Sequence, residues 1–283
     1  MAWQILALAA VSMFTTLNLI QRVLAVESKN ERATAVAFNL AAGLIATIFF
    51  LVTQSYKDFT LPTDYRAYIA MLSAVFFYAM FERGRFHAAR LLEASVLTTV
   101  MNVSAVIAFI GSIFLYSEEV TSNKLLGSLF ILCALLIVSW NRTPTRASKK
   151  GIINALIVGT MLGLGWMLDK LGAQYFNPQT YSIIVWTFPI ILIYLPHVSF
   201  ADIKTEFVTA SWRLWLIALL NVVAYFLMLK SLDIADATSV IPLMQTSTLF
   251  TILLGIIILK ERDRIFTKIL AGILAICGVY LLV

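Results

Sequence analysis

Amide side chains set in apolar surroundings carry the most chemistry in this chain. Asn102 stands in the run from Glu93-Ala94-Ser95-Val96-Leu97 to Tyr116-Ser117-Glu118, and Gln245 in the run from Asp236-Ala237-Thr238-Ser239-Val240 to Leu259-Lys260-Glu261. In both runs the opening acid and the closing Glu are 25 residues apart, so the two amides occupy equivalent positions. At about 1.5 Å per residue each lies roughly 13 Å into its helix, near the middle of a membrane-sized span. A buried amide can hold a polar solute by hydrogen bonds, or it can tie neighbouring helices together. Thr98 and Ser95 share a face with Asn102, as Thr238 and Thr248 do with Gln245.

Further candidates sit within other apolar runs. Asn18, Asn39, Asn154 and Asn221 are polar contacts, and Tyr78, Trp166, Trp186 and Tyr225 are cavity walls or packing residues. Among ionisable groups, Glu82, Arg83, Asp169 and Lys170 fall toward the far ends of their spans by length. There they serve as gate charges, with Glu82 beside Arg83 and Asp169 beside Lys170, or as proton-coupling acids. With no carboxylate placed at mid-depth, the reading is facilitated or exchange movement of a neutral or zwitterionic solute. Glu118 and Glu261 each precede a late span, where an acid caps the next helix or pairs with Lys124 or Lys268.

Catalytic equipment is sparse. The two histidines, His87 and His197, are far apart, and there is no His-Glu-x-x-His, paired-Asp or Gly-rich phosphate motif. No metal or other cofactor is expected, and no enzymatic activity.

The elements that position these residues follow from composition. With 61% hydrophobic and 13% charged residues and a mean hydropathy of +0.91, the chain departs from soluble globules, which carry about 25% charged residues. Apolar runs mark ten spans, at 2–22, 33–54, 66–83, 92–115, 124–140, 151–170, 180–199, 212–230, 237–259 and 265–283. The first follows Met1 without a basic leader and reads as an uncleaved anchor. Cys133 and Cys277, in late spans of the two halves, read as small packing residues. Asn177-Pro178 and Ser211 read as helix N-caps, Pro189 and Pro242 as kinks, and Gly159 with Gly163 as a close helix approach.

The duplication extends upstream, where Gln21-Arg22-Val23-Leu24-Ala25 matches Asp169-Lys170-Leu171-Gly172-Ala173. A polar linker at 142–150 divides the chain into repeats at 1–141 and 151–283, five spans each. An odd number of spans per repeat makes the second enter the membrane from the opposite side. The expected fold is therefore all-α, ten transmembrane helices in two inverted five-helix repeats around a central cavity. Connections after spans 1, 3, 5, 7 and 9 hold sixteen of the 21 Lys and Arg, which by the positive-inside rule places them in the cytoplasm and both termini outside. The net charge of +6 is thus a topology signal, and nucleic acid is not a partner.

The pattern of mid-helix Pro242, an aliphatic run to Glu261, Ala271-Gly272 and an apolar close resembles the EamA-type half of the drug/metabolite transporter superfamily. The resemblance is sharpest from Ala224 to Val283. It implies a monomeric ten-helix carrier in the inner membrane of a prokaryote, contacting lipid and exporting or exchanging small metabolites such as amino acids. The chain departs from the pattern in having Thr99 where the second half has Pro242, and in the charged stretch from Glu82 to Arg90. Members usually keep both termini cytoplasmic, against the charge count. A lipid or lipid-headgroup translocator is the alternative; it requires a lateral opening and a basic interfacial pocket, for which Arg83, Arg85 and Arg90 are placed. An intramembrane enzyme ranks below both.

Overall fold

Helices account for all regular structure in a computed structural model that describes residues 2–57, 59, 61–91, 100–139, 149–258 and 265–282. In chain order they are α1 (Trp3–Glu27), α2 (Glu31–Val52), α3 (Tyr65–Leu91), α4 (Val103–Tyr116), α5 (Ser122–Ser139) and α6 (Lys149–Phe176). There follow α7 (Pro178–Thr187), α8 (Pro189–Tyr194), α9 (Phe200–Ala210), α10 (Trp212–Ile234), α11 (Ala237–Ile258) and α12 (Ile265–Leu282). By length and apolar composition α2, α6 and α10 each suffice to cross a bilayer. Large side chains such as Leu44, Ile48, Ile157 and Ile276 face outward, a surface that suits lipid rather than water.

Local chemistry sets the helix ends. Asn30 opens α2 by accepting hydrogen bonds from the amides of Arg32 and Ala33, and Asn177 opens α7 by accepting from Thr180 ahead of a Pro at the first helical position. Ser211 does not cap α10: its φ is 50° and its side chain makes no capping bond, while its amide donates to Phe207 and closes α9 instead. Pro189, which has no N–H for the preceding turn, divides the seventh span into α7 and α8. Pro242 lies inside α11 without ending it. Regular helix stops at Tyr194, short of the expected 199, and α9 begins at Phe200. This stretch lies between the expected spans 180–199 and 212–230 and carries Asp202, Lys204 and Glu206, yet Ile203, Glu206 and Ala210 form one buried stripe.

Glu206 shows why the stripe includes an acid. Its Oε1 accepts the amides of Lys29 and Asn30, each at 2.9 Å, and its Oε2 accepts the Thr34 hydroxyl at 3.0 Å, so α9 fixes the α1–α2 corner. Glu206→Ala takes the acceptor from the part-buried amides of Lys29 and Asn30, at about 1 to 3 kcal/mol each, while the Thr34 hydroxyl keeps the Asn30 carbonyl at 3.0 Å. A fall in the thermal unfolding midpoint of the purified protein checks this, and an unchanged midpoint contradicts it.

The third helix is longer than its apolar stretch, running to Leu91 rather than to 83. Its charged turns are sheltered against α2: Glu82 accepts from Asn39 at 3.2 Å, and the Arg85 guanidinium lies over the rings of Phe38 and Phe86, each at 4.7 Å.

Helix pairing has a regular plan. α3 packs on α6 as α1 packs on α10, and α4 packs on α6 as α1 packs on α11. Two further pairs, α2 with α7 and α5 with α12, join corresponding positions of the two halves. The main core lies where α1, α2, α3, α6, α7 and α10 converge.

Candidate functional site

Asp169 stands at the centre of that convergence, with no exposed surface. Its Oδ2 accepts the Tyr78 hydroxyl from α3 at 2.6 Å, and its Oδ1 accepts Tyr225 from α10 at 2.8 Å and Tyr181 from α7 at 3.3 Å. Counting along α6 puts Asp169 about 30 Å from Lys149, which suggested a position near a membrane face. The structure places it level with Tyr78 and Tyr225, both near the middle of their helices. α6 itself starts with exposed Lys149 and Lys150 and continues past Asp169 to Phe176.

The sequence of α6 makes this arrangement possible. Gly165, Asp169 and Gly172 are spaced four and three residues apart and so line one face of the helix. A Cβ on Gly165 would lie 3.1 Å from the Tyr78 ring, and one on Gly172 would enter the Tyr181 ring. The two glycines therefore form hollows in which the phenols lie while their hydroxyls reach the carboxylate between them. Tyr225 packs edge-on against Tyr78 and Trp186, with ring centres 6.1 and 5.7 Å apart. The indole Nε1 of Trp186 and the hydroxyl of Thr180 are buried without partners, leaving hydrogen-bonding capacity unused beside the tyrosines.

Lys170 is buried too and turns to a separate cluster. Its Nζ donates to Glu118 Oε1 at 2.6 Å, lies 3.6 Å from Asp236 Oδ1, and sits over the Tyr116 ring. Glu118 also accepts from the amides of Ala237 and Thr238 at 2.8 and 2.9 Å, and from the Thr238 hydroxyl at 2.7 Å. Glu118 thus caps α11, about 120 residues further along, rather than the α5 that follows it. Lys124 pairs with Asp236 instead of Glu118. That hydrogen bond holds the half-exposed Asp236 carboxyl below the ordinary aspartate value. The sign follows: the Asp236 contribution is present above the ordinary aspartate range and is lost as pH falls through the lowered value.

Neither expected neighbouring pair forms. Glu82 engages Asn39 and approaches Arg85 Nε at 2.9 Å, although that N–H is not aimed as a hydrogen bond. Arg83 donates to the Leu192 carbonyl at 3.3 Å. Asp169 and Lys170, adjacent in sequence, have separate partners.

Asn102 and Gln245 are both buried, each with its side-chain nitrogen unpartnered. Asn102 occupies the turn that opens α4. A Cβ on Gly159 would meet Met101, and Gly159 precedes Asp169 by ten residues, so Asn102 lies about 15 Å along α6 from the carboxylate. Asn102 and the tyrosine-bound acid thus occupy different layers. Thr98 lies outside the described residues. Asn18 and Trp166 are half-buried on α1 and α6, and Asn221 is buried on α10, all outside the hydrogen bonds of Asp169. Among the described residues no three His, Cys, Asp or Glu side chains gather as a metal site. A cavity of about 520 Å³ between α2, α3 and α6 and one of about 440 Å³ beside α3, α6 and α7 lie away from the packed carboxylate.

Comparison with known proteins adds the following. Residues 149–283 match the model of the EamA-like transporter family. The curated proteins include no match to the chain. A solved structure described only as "Crystal structure of protein" aligns with a TM-score of 0.70 at 13% identity, covering 99% of this chain and 95% of its own; at that identity the likeness shows the fold alone.

Proposed function

From the match of residues 149–283 to the EamA-like transporter family, we propose that this integral membrane protein belongs to that family and is a secondary carrier of small solutes bearing an ammonium group, amino acids among them. It exports or exchanges them by rocking two inverted five-helix repeats, residues 1–141 and 151–283, against each other. Support for the repeats comes from the exchangeable helix pairings. Two ring contacts add to it: Phe38 meets Trp186, 148 positions on, and Tyr78 meets Tyr225, 147 positions on. Equivalent residues meet in this way where they straddle a two-fold axis.

The observation that carries the substrate reading is the seam location of Asp169. Its carboxylate belongs to the second half, and one of its three hydroxyl partners, Tyr78, belongs to the first. Rocking the halves separates Tyr78 from Asp169 and frees a carboxylate lone pair for an ammonium. The unpartnered Trp186 Nε1 then donates to the solute's own carboxylate. The chain is read as residing in a prokaryotic plasma membrane.

The experiment is counterflow in proteoliposomes without an imposed pH gradient, using labelled amino acids and their deaminated acids. Exchange is expected only for solutes with the ammonium group, which also raise thermal stability by about 2.7 kcal/mol at a hundredfold excess over Kd. Equal exchange of the deaminated acids removes the carboxylate from the site, and a strict need for a pH gradient replaces exchange with proton coupling. Translocation of lipid is less well supported, because α3 and α6 are closely packed between the lateral cavity and Asp169, Gly165 against Tyr78 and Gly84 against Val158.

A further inference from the structure

We infer that the cavity between α2, α3 and α6 is a binding site for an anionic phospholipid of the bilayer, whose phosphate headgroup meets Arg32 and Arg83 and whose acyl chain follows the apolar wall of α3 and α6. The cavity, about 520 Å³, falls in the range of about 300 to 1,000 Å³ that small-molecule sites occupy. Its polar and apolar residues are separated along the helix direction. Glu31 and Arg32 begin α2, Arg83 and His87 lie in the last turns of α3, and Asn154 lies in the second turn of α6. Away from these, the wall is formed by Phe76, Met80, Ile157 and Met161. Phe76 and Ile157 are exposed on the outer surface of the bundle, so the cavity opens sideways to lipid rather than inward to Asp169. This is the geometry of a headgroup at the interface with its tail in the hydrocarbon.

Charge selects the headgroup. The polar end faces the side of the bundle whose connections carry sixteen of the 21 basic residues, the side a cytoplasmic leaflet with anionic lipids would face. Among the described residues Arg83 makes one hydrogen bond, from Nη1 to the Leu192 carbonyl. Among them Arg32 donates through Nη2, to the carbonyls of Pro196 and Ile193 at 2.8 and 3.4 Å, and its Nε is buried without a partner. Each guanidinium has five N–H donors, so both are anchored while most of their donors remain for phosphate oxygens. Glu31, the one acid lining the cavity among the described residues, faces His87 Nδ1 at 3.1 Å. The lipid bridges α3 of the first half and α6 of the second, at their tight contact where Gly84 leaves room for Val158. A lipid seated there braces the two helices against sliding. The inference needs only the bilayer location and stands apart from the assignment of Asp169.

The test is native mass spectrometry of the detergent-purified protein with equal amounts of phosphatidylglycerol and phosphatidylcholine, paired with thermal unfolding in each lipid and in inorganic phosphate. Phosphatidylglycerol is expected to be retained preferentially and to raise the unfolding midpoint, with phosphatidylcholine and phosphate leaving it in place. Arg32→Gln and Arg83→Gln each lower phosphatidylglycerol retention about fivefold without changing that of phosphatidylcholine. Ile157→Trp, on the exposed wall, fills the tail channel and lowers retention with both guanidinium groups still present; this variant decides the matter if the arginine variants fold poorly. Equal retention of the two lipids, or preference for phosphatidylglycerol that survives all three substitutions, overturns the inference. A full stabilisation by inorganic phosphate alone also overturns it, giving the pocket to a free anion.

Discussion

Asp169→Asn reduces counterflow of an ammonium-bearing solute about 30-fold or more, while the protein still folds and inserts. The magnitude follows from the loss of one member of a desolvated charge pair, worth about 2 kcal/mol at the lower end, at 1.4 kcal/mol per factor of ten. Asparagine keeps the size of the side chain and an acceptor for two of the tyrosines, so the variant separates charge from shape. Asp169→Leu is the structural control. It strands the hydroxyls of Tyr78, Tyr181 and Tyr225, at about 1 to 3 kcal/mol each, a large part of the 5 to 15 kcal/mol that holds a typical domain folded. Gly172→Ala approaches the site from behind by pushing the Tyr181 ring off α6. Partial loss of counterflow is expected there, because Tyr181 makes the longest of the three hydrogen bonds. Wild-type counterflow in Asp169→Asn would place the solute elsewhere, with the amide layer of Asn102 and Gln245 the next candidate.

The second large effect is at Glu118. Glu118→Ala leaves Lys170 buried beside a bare helix terminus with only the half-exposed Asp236 carboxylate at 3.6 Å, at a cost of up to about 3 to 5 kcal/mol. For a chain of this size that is a fall of about 6 to 15 °C in the unfolding midpoint. The decisive comparison is the cycle with Lys170→Met. If the damage comes from an uncompensated charge, the double variant recovers much of the loss; if it comes from the two uncapped amides of α11, Lys170→Met adds nothing. Adding the two single losses with no coupling would mean that Glu118 and Lys170 act independently, contrary to their 2.6 Å contact.

Much of this architecture was legible in residue type and spacing. The long apolar runs gave the helices, the Asn177-Pro178 pair gave the start of α7, and Pro189 gave the break that follows it. What escaped involved polar groups whose partners are distant in sequence. Tyr181, near the start of its span, reaches Asp169 because α7 folds back on α6. Glu118 had a local basic neighbour in Lys124, but its geometry favoured the N–H groups of a helix 120 residues away. Asp169 looked like a rim charge by helix length alone, and its three phenol partners come from helices distant in sequence. One signal was available and passed over: Gly165, Asp169 and Gly172 on one helical face are two vacancies around an acid, a pattern that calls for large side chains from elsewhere.

The three phenols around Asp169 also fix a valence. A carboxylate offers about four lone-pair sites, and these hydroxyls fill three of them, two on Oδ1 and one on Oδ2. A guest that presents a single N–H can complete the shell at Oδ2 with every phenol in place. A guest that brings two must first displace a tyrosine, and displacing Tyr78, which shares Oδ2 with the open position, parts α3 from α6. The number of protons on a nitrogen would then decide whether the guest merely sits in the site or prises these two helices apart.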